Sequence, residues 1–338
     1  MMTPYSILDL SPIPEGSTAR QALANTRTLA QHAESCGYTR YWLAEHHNMI
    51  GNASSATAVI IGHVADATNT IRVGSGGVML PNHAPLVIAE QFGTLASLYP
   101  GRIDLGVGRA PGTDQLTARA LRRDLHDNGE GFPQDVLELQ HYLSQDAHEH
   151  AVKAVPGMGT EVPIWILGSS LYGAQLAAHL GLPYAFASHF APAELMNALS
   201  VYRQTFRPSK HLAKPYAMVL VNVVAADTDD QARYLYTSVQ QHFARMRRNT
   251  RGMLPAPIDN IDTFWNETER HFATQMLACS VVGSPDRVTE GLANLLQQTQ
   301  AQELMFAGQI HDHQARLHSF SIAAQAMQSI KSPDAVAA

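Results

Sequence analysis

The sequence has little cysteine, no excess of basic charge and no long apolar run, and each shortage excludes a class of protein. Two cysteines, Cys36 and Cys279, are too few for a disulfide framework. Lysine and arginine number 23 against 29 aspartates and glutamates, which gives a net charge of −6 and no basic surface for nucleic acid or anionic lipid. No stretch reaches the roughly 20 apolar residues that span a bilayer. Because the start of the chain also lacks a signal-peptide pattern, we expect a cytoplasmic protein.

Strand-like runs alternate with helical periods along the chain. Eight short apolar runs are each followed by a helical pattern, which predicts a parallel TIM (β/α)8 barrel. The predicted strands are 5–10, 39–45, 71–80, 102–108, 163–168, 184–188, 216–225 and 303–308. We expect one barrel domain over residues 1–338, with a flexible tail at 331–338. A doubly wound open sheet is the alternative.

Helix punctuation supports this count of strands and helices. Ser17 precedes a helical pattern over 18–35, and Ser284 with Pro285 opens another over 285–299. A serine before a helical run accepts backbone N–H bonds, and proline fits the first helical position. These residues predict where the two helices begin.

Two connections are too long for plain turns, so the barrel has insertions after strand 4 and before the last helix–strand pair. They cover residues 110–132 and 246–280. Long insertions in compact domains are usually functional. We expect the first to form part of the substrate mouth and the second to cross the same mouth as a helical excursion. Its expected apolar anchors are Ile258, Ile261, Phe264 and Trp265.

The polar cluster Glu45, His46 and His47 follows the second predicted strand directly. The carboxyl ends of barrel strands are where this fold keeps its chemistry. Glu45, His46 and His47 are therefore candidate functional residues. An imidazole here could exchange protons with a reactant, and Glu45 could fix the tautomer of His46. Adjacent residues diverge, so His46 and His47 cannot address the same atom. The alternative is that these histidines cap and fill a loop.

Two polar groups at neighbouring strand ends predict an anion site. Arg109 follows the fourth strand, and Gly168, Ser169 and Ser170 lead from the fifth strand directly into a helix. A guanidinium matches phosphate oxygens, and the N–H groups of a helix start attract anions. Each group alone has an ordinary structural explanation, but together they indicate a phosphorylated ligand.

The third predicted strand contains Gly74, Gly76 and Gly77, followed by Val78. Glycine weakens a strand interior, so it indicates a bulge or a flat group packed on bare backbone. A planar ring would explain the pattern, and a tight corner of the barrel is the alternative.

From residue 5 to residue 327, the chain resembles the bacterial luciferase-like flavin-dependent monooxygenases, and above all their uncharacterised subgroup. The resemblance rests on residues 42–47, 73–81, 100–109, 168–170, 186–190 and 310–313. It implies a TIM barrel and the cofactor FMN, reduced by a separate flavin reductase. It also implies reaction with dioxygen through a C(4a)-peroxyflavin on a small, partly apolar substrate such as an aldehyde or ketone.

Position by position, the resemblance also implies roles for single residues. His46 matches the catalytic histidine and Glu45 its neighbour, while Gly108 replaces the reactive cysteine of true luciferases, so light emission is not expected. Gly76 and Gly77 match the floor under the flavin ring, where a non-proline cis peptide is common. The implied cofactor contacts are Gly76, Gly77, Val78, Arg109, Gly168, Ser169 and Ser170.

Other functions and a partner stay open at this stage. A deazaflavin-dependent reductase or a non-catalytic flavin-binding protein would show the same barrel and phosphate site. A metal-dependent hydrolase would use some of His46, His47, His189, His311 and His313, but it leaves Arg109 unexplained, and we expect no metal. The resemblance implies a homodimer, and apolar helices over 55–67 and 84–98 offer a seam or simply pack on the barrel.

Overall fold

A computed structural model describes residues 2–110, 115–121, 130–149 and 151–330. Within these ranges lie nine strands and eleven α-helices. The strands are β1 (Tyr5–Asp9), β2 (Arg40–Leu43), β3 (Arg72–Met79), β4 (Ile103–Gly108), β5 (Ile164–Gly168), β6 (Tyr184–Phe186), β7 (Ala217–Ala225), β8 (Ser280–Gly283) and β9 (Glu303–Ala307). The helices are α1 (Ala19–Ser35), α2 (Thr57–Asp66), α3 (Pro85–Leu98), α4 (Gln115–Leu121), α5 (Phe132–Leu143), α6 (Leu171–Leu180), α7 (Leu195–Thr205), α8 (Asp229–Arg247), α9 (Glu267–Met276), α10 (Pro285–Thr299) and α11 (His313–Ser329).

Eight of the strands close into a parallel barrel. Their order is β1-β2-β3-β4-β5-β6-β7-β9, and β9 returns to β1 with Ile7 opposite Phe306. The expected TIM barrel is confirmed, and closure of the ring excludes the open sheet. The ninth strand, β8, lies outside the ring and pairs only with β7, where Asn222 is opposite Ser280.

Each predicted strand coincides with one strand of the ring, and most residues of these strands are buried. Every residue of β7 is buried, which requires a continuous apolar run. A compact apolar cluster fills the barrel, and a larger one lies between the strands and the helices. The buried residues of the inner cluster are Leu8, Trp42, Ala44, Trp165, Ala185, Met218, Leu220 and Met305.

Paired charges close the amino-terminal end of the barrel. Arg40 contacts Asp104 at 2.8 Å and Glu303 at 3.0 Å, and both carboxylates are fully buried. Arg72 binds the other oxygen of Asp104 at 2.5 Å. These pairs neutralise one another, so the opposite, carboxyl-terminal end holds the polar groups available for chemistry.

The predicted start of the first helix is off by one residue. Thr18, not Ser17, precedes the helix, because its backbone is extended and its hydroxyl accepts the Gln21 N–H at 3.2 Å. Ser284 and Pro285 occupy the predicted positions at the start of α10.

The second insertion crosses the carboxyl end of the barrel. Leu254 bonds through its backbone to Ile13 at 2.9 Å and to Glu15 at 2.8 Å, and these two residues follow β1. The expected anchors at 258, 261, 264 and 265 are only partly buried, whereas Leu254 and Pro255 are buried. The segment therefore covers the mouth as expected, but different side chains anchor it.

Parts of two predictions lie outside the described residues. Of the first insertion, the structure describes residue 110, α4 and residues 130–132, so its role at the mouth stays a prediction. The expected tail at 331–338 also lies beyond the described ranges. None of the helices in the described part of the chain is both long and apolar enough to span a bilayer.

Candidate active site

The predicted site residues lie in or just after β2, β3, β4 and β5, towards the carboxyl ends of these strands, and the four strands are consecutive in the ring. Because the strands are parallel, the residues after them meet at one edge of the barrel. The fold thus gathers Glu45, His46, the glycine pair of β3, Arg109 and the segment 168–170 at the same mouth.

Arg109 makes no hydrogen bond or ion pair with any residue that the structure describes. Its guanidinium lies over the ring of Tyr172, with 4.1 Å between the guanidinium carbon and the ring centroid. Tyr172 belongs to the first turn of α6, so the ring holds the cation next to the start of that helix. A cation–π contact positions a charge without neutralising it.

The start of α6 is the second half of the predicted anion site. Ser170 is the N-cap, yet its side chain accepts no hydrogen bond from the helix, and the first turn contains no acidic residue. The first N–H groups of a helix lack partners within the helix and attract anions. Together with Arg109, they form a site that fits a phosphate group, with Ser169 and Ser170 beside it.

The glycine strand contains an irregularity at the predicted place. The Gly76–Gly77 peptide bond is cis, as the resemblance implied, and the register between β3 and β4 shifts between Ser75 and Val78. A Cβ on Gly77 would lie 2.8 Å from the Gly106 carbonyl oxygen of β4. A side chain at Gly77 would therefore meet the neighbouring strand, whether or not a ring packs on this backbone.

Glu45 does not hold His46, so that part of the sequence interpretation is wrong. The Glu45 carboxylate is buried, and its Oε1 accepts from His47 Nε2 at 2.9 Å and from His83 Nε2 at 2.8 Å. His83 follows the short 3-10 turn Leu80–Asn82 at the end of β3. Glu45 thus joins the loops that follow β2 and β3.

His46 diverges from His47, as expected of neighbouring residues. Its backbone N–H donates to the Ser54 carbonyl at 3.0 Å, and the Ser55 hydroxyl donates to its carbonyl at 2.8 Å. The His46 Nδ1 atom is buried without a hydrogen-bond partner among the described residues. Burial lowers the pKa of His46 to about 4, so the imidazole is neutral near pH 7.

His189 is a second imidazole of this kind, and sequence reasoning considered it only as a metal ligand. Its Nδ1 is also buried with no partner among the described residues, and burial together with nearby His46 lowers its pKa to about 3. The Asn222 side-chain amide donates to the His189 carbonyl. Asn222 is the one polar residue in the sequence of β7, and this interruption of an apolar strand was the signal in the sequence that could have pointed to His189.

The histidines named for a metal-dependent hydrolase are not gathered into one site. His313 Nε2 contacts the Thr28 hydroxyl at 2.8 Å, and His311 Nε2 contacts the Glu15 carbonyl at 3.2 Å. Among the residues with described positions, these five histidines form no common set of metal ligands. The hydrolase alternative therefore loses its geometric basis.

Comparisons with known proteins show which proteins this chain resembles. The family model described as luciferase-like monooxygenase matches residues 3–303. A luciferase-like monooxygenase of Escherichia coli K12 is 58% identical over 320 residues, covering 94% of this chain and 95% of that protein.

Several solved structures are also similar to this chain. The crystal structure of apo-MsnO8 is 34% identical, covers 97% of this chain and 99% of that chain, and superposes with a TM-score of 0.86. Two remote structures share the fold alone and contain different cofactors. The oxygenating constituent of 3,6-diketocamphane monooxygenase from Pseudomonas putida, in complex with FMN, has 17% identity, coverage of 98% and 100%, and a TM-score of 0.74. An F420-dependent secondary alcohol dehydrogenase has 14% identity, coverage of 97% and 99%, and a TM-score of 0.68.

The family match spans most of the chain, and the barrel fold agrees with it. The chain belongs to the luciferase-like monooxygenase family.

Proposed function

We propose that this flavin monooxygenase uses FMN, reduced by a separate flavin reductase, and dioxygen to oxidise a small, partly apolar substrate such as an aldehyde or ketone. The observation that carries the proposal is the Arg109 guanidinium, stacked on Tyr172 beside the start of α6. The chain thus offers a fixed positive charge and uncapped N–H groups where a phosphate can bind. When bound, reduced FMN supplies the electrons that activate dioxygen.

The chain's residues divide the binding of FMN between two places. Arg109, Ser169, Ser170 and the first N–H groups of α6 bind the phosphate. The bulged backbone of residues 76–78 forms the floor for the ring. Because the two places lie at the ends of adjacent strands, one elongated ligand can bind both.

His46 is the residue that acts on the oxygen reactants or the substrate. Its neutral imidazole has one buried nitrogen without a hydrogen-bond partner among the described residues, so a bound reactant can supply that partner. Glu45 acts indirectly, because it positions His47 and His83. The segment around Leu254 limits the access of water to the mouth.

The homodimer remains part of the proposal, and its seam is smaller than the sequence suggested. Most apolar residues of α2 and α3 are buried against the rest of the chain. Val59, Val87 and Leu98 remain 73%, 44% and 64% exposed. Light scattering should give twice the chain mass, and Val59→Asp should shift it towards the mass of one chain.

Oxygen consumption tests the proposed chemistry directly. Protein, FMN, a flavin reductase and NADH are combined with aldehydes, ketones and other small organic compounds, and oxygen uptake and oxidised product are measured together. We expect a substrate whose product matches the oxygen consumed. Tight binding of deazaflavin without binding of FMN would instead support a reductase. Binding of FMN with no oxidised product from any compound would support a non-catalytic flavin protein.

A further inference from the structure

We propose that Glu45, His47 and His83 form a binding site for a six-coordinate divalent transition-metal ion such as Co²⁺, Ni²⁺ or Fe²⁺. The three ligand atoms, one from each side chain, all lie within 4.8 Å of one another. This is the one such group of three in the described part of the chain. A metal site here goes beyond the proposed flavin chemistry, because that chemistry does not require a metal ion.

The donor set has the chemistry of a metal site. Two imidazoles and one carboxylate supply three ligands and one negative charge, and they leave coordination positions open. The Glu45 side chain is 3% exposed, that of His47 13% and that of His83 26%. The carboxylate is thus held inside the protein, while the His83 side gives an ion access from solvent.

The distances favour six coordinate positions over four. With metal–ligand bonds of about 2.1 Å, neighbouring ligands are roughly 3.0 Å apart in an octahedron and roughly 3.4 Å apart in a tetrahedron. Glu45 Oε1 lies 2.9 Å from His47 Nε2 and 2.8 Å from His83 Nε2. For these two pairs, octahedral binding needs only a small widening, whereas a tetrahedral zinc site needs about half an ångström. The two imidazole nitrogens lie within 4.8 Å of each other, and one ion can bind both once the two loops adjust.

Binding of a metal ion displaces the Nε2 protons of the two imidazoles, His47 and His83. An ionised carboxylate only accepts hydrogen bonds, so both imidazoles donate from Nε2 in the present arrangement. A metal ion needs the Nε2 lone pair, so each proton moves to Nδ1 or leaves to solvent. Side-chain hydrogen bonds are exchanged for metal–ligand bonds, and no oxidant or reductant is required.

A bound ion would also stabilise the two loops that carry its ligands at the carboxyl end of the barrel. Glu45 and His47 belong to the loop after β2, and His83 belongs to the turn after β3. The ion would link two loops that are now linked by hydrogen bonds. The phosphate site is built on β4, β5 and α6, so metal and phosphate use separate residues.

Calorimetric titration with Co²⁺ tests the site without flavin present. Tag-free protein is treated with chelator and desalted before the titration. We expect one ion per chain, with His83→Ala and Glu45→Gln each weakening the affinity by at least roughly tenfold. His63→Ala is the matched control, since His63 is exposed on α2 outside the group, and it should bind like the parent.

A second measurement locates the ion in the parent protein and does not depend on the folding of a variant. Anomalous diffraction at the cobalt edge should place one peak between Glu45, His47 and His83. Absence of stoichiometric binding, a peak elsewhere, or unchanged affinity in His83→Ala with a native circular dichroism spectrum would overturn the proposal. The FMN proposal is tested by FMN titration, so the two can fail separately.

Discussion

Arg109 illustrates how a single residue can be held ready for a ligand. Its ring partner Tyr172 holds the guanidinium, and among the described residues none takes its hydrogen-bond donors. No acidic residue of the described ranges neutralises the charge that a phosphate needs. A cation positioned in this way indicates a binding residue more clearly than its place after a strand does.

Replacing Arg109 should weaken FMN binding. A charge-assisted hydrogen bond contributes about 1.5–3 kcal/mol, so Arg109→Ala should raise the dissociation constant roughly ten- to a hundredfold. Fluorescence titration with FMN measures it. Arg20→Ala, at an exposed position of α1, is the control and should leave the constant unchanged. An unchanged constant for folded Arg109→Ala would contradict the phosphate assignment.

Replacing His46 should affect chemistry and leave FMN binding close to the parent value. In the proposed arrangement other strands supply the phosphate and ring contacts, whereas a positioned acid–base group contributes about 10²–10⁴-fold to a rate. His46→Ala should therefore lose at least about two orders of magnitude in substrate oxidation, while oxygen uptake continues and yields hydrogen peroxide. The measurement compares product, oxygen and peroxide with the His63→Ala control. Parent-level coupling in His46→Ala would show that His46 is structural.

At this scale the sequence predicts where residues lie better than what they touch. Glu45 and His46 were placed correctly because strand ends can be read from local apolar runs. The contact of Glu45 with His83 could not be predicted from the sequence. His83 lies 38 positions away and reaches Glu45 only once β2 and β3 pair. The burial of His189 could not be predicted from the sequence either, because it depends on closure of the ring.

At the scale of elements, β3 and β4 approach each other closely because both carry glycine. Gly77 faces the Gly106 carbonyl, and this contact explains the glycine without any ligand. The sequence could not separate this reason from a ligand floor, because both require bare backbone. The strand therefore has a structural constraint in addition to its proposed contact with the ring.

A methyl group at Gly77 should destabilise the barrel itself. The added Cβ would lie 2.8 Å from a backbone oxygen that cannot move alone, and such overpacking costs about 1–3 kcal/mol. Gly77→Ala should lower the thermal midpoint seen by circular dichroism. Gly108→Ala is the control, because its nearest atom would be 4.0 Å away, and its midpoint should match that of the parent. Equal midpoints for both variants would contradict the steric argument.

Ring strands such as β7 were predictable because burial on both faces imposes a continuous apolar run. The exception, β8, has only four residues, three of them partly exposed, and it pairs with a single strand. Its pattern is too short to distinguish it from a loop. The start of α1 was shifted because Ser17 and Thr18 are both good cap residues, and only the backbone angles decide between them.

At the scale of the whole molecule, neutral buried histidines make the fold sensitive to acid. Burial lowers the pKa of His189 to about 3, and burial with Arg251 and Arg245 lowers that of His242 to about 4. The unfolded chain binds these protons near pH 6.5, so protonation favours unfolding. The contribution is fully present above pH 6.5 and is lost as the pH falls towards these values.

The free energy of unfolding should therefore decrease between about pH 6.5 and pH 4. Urea denaturation at several pH values measures this slope. The double substitution His189→Gln and His242→Gln removes two of the groups that titrate in this window and leaves His46, so it should make the slope smaller. His63→Ala should retain the slope of the parent, because His63 is exposed. Equal slopes in the double variant and the parent would contradict the assignment.

The stacking of Arg109 on Tyr172 has a consequence for the redox balance of the proposed cofactor. The phosphate of FMN carries the same charge whether the ring is oxidised or reduced, so this anchor stabilises both forms equally. Equal stabilisation of both forms leaves a reduction potential unchanged. The residues around the ring, and not the phosphate anchor, must therefore set the midpoint potential. Loss of Arg109 should weaken the retention of FMN while the potential of the flavin that remains bound stays where it was.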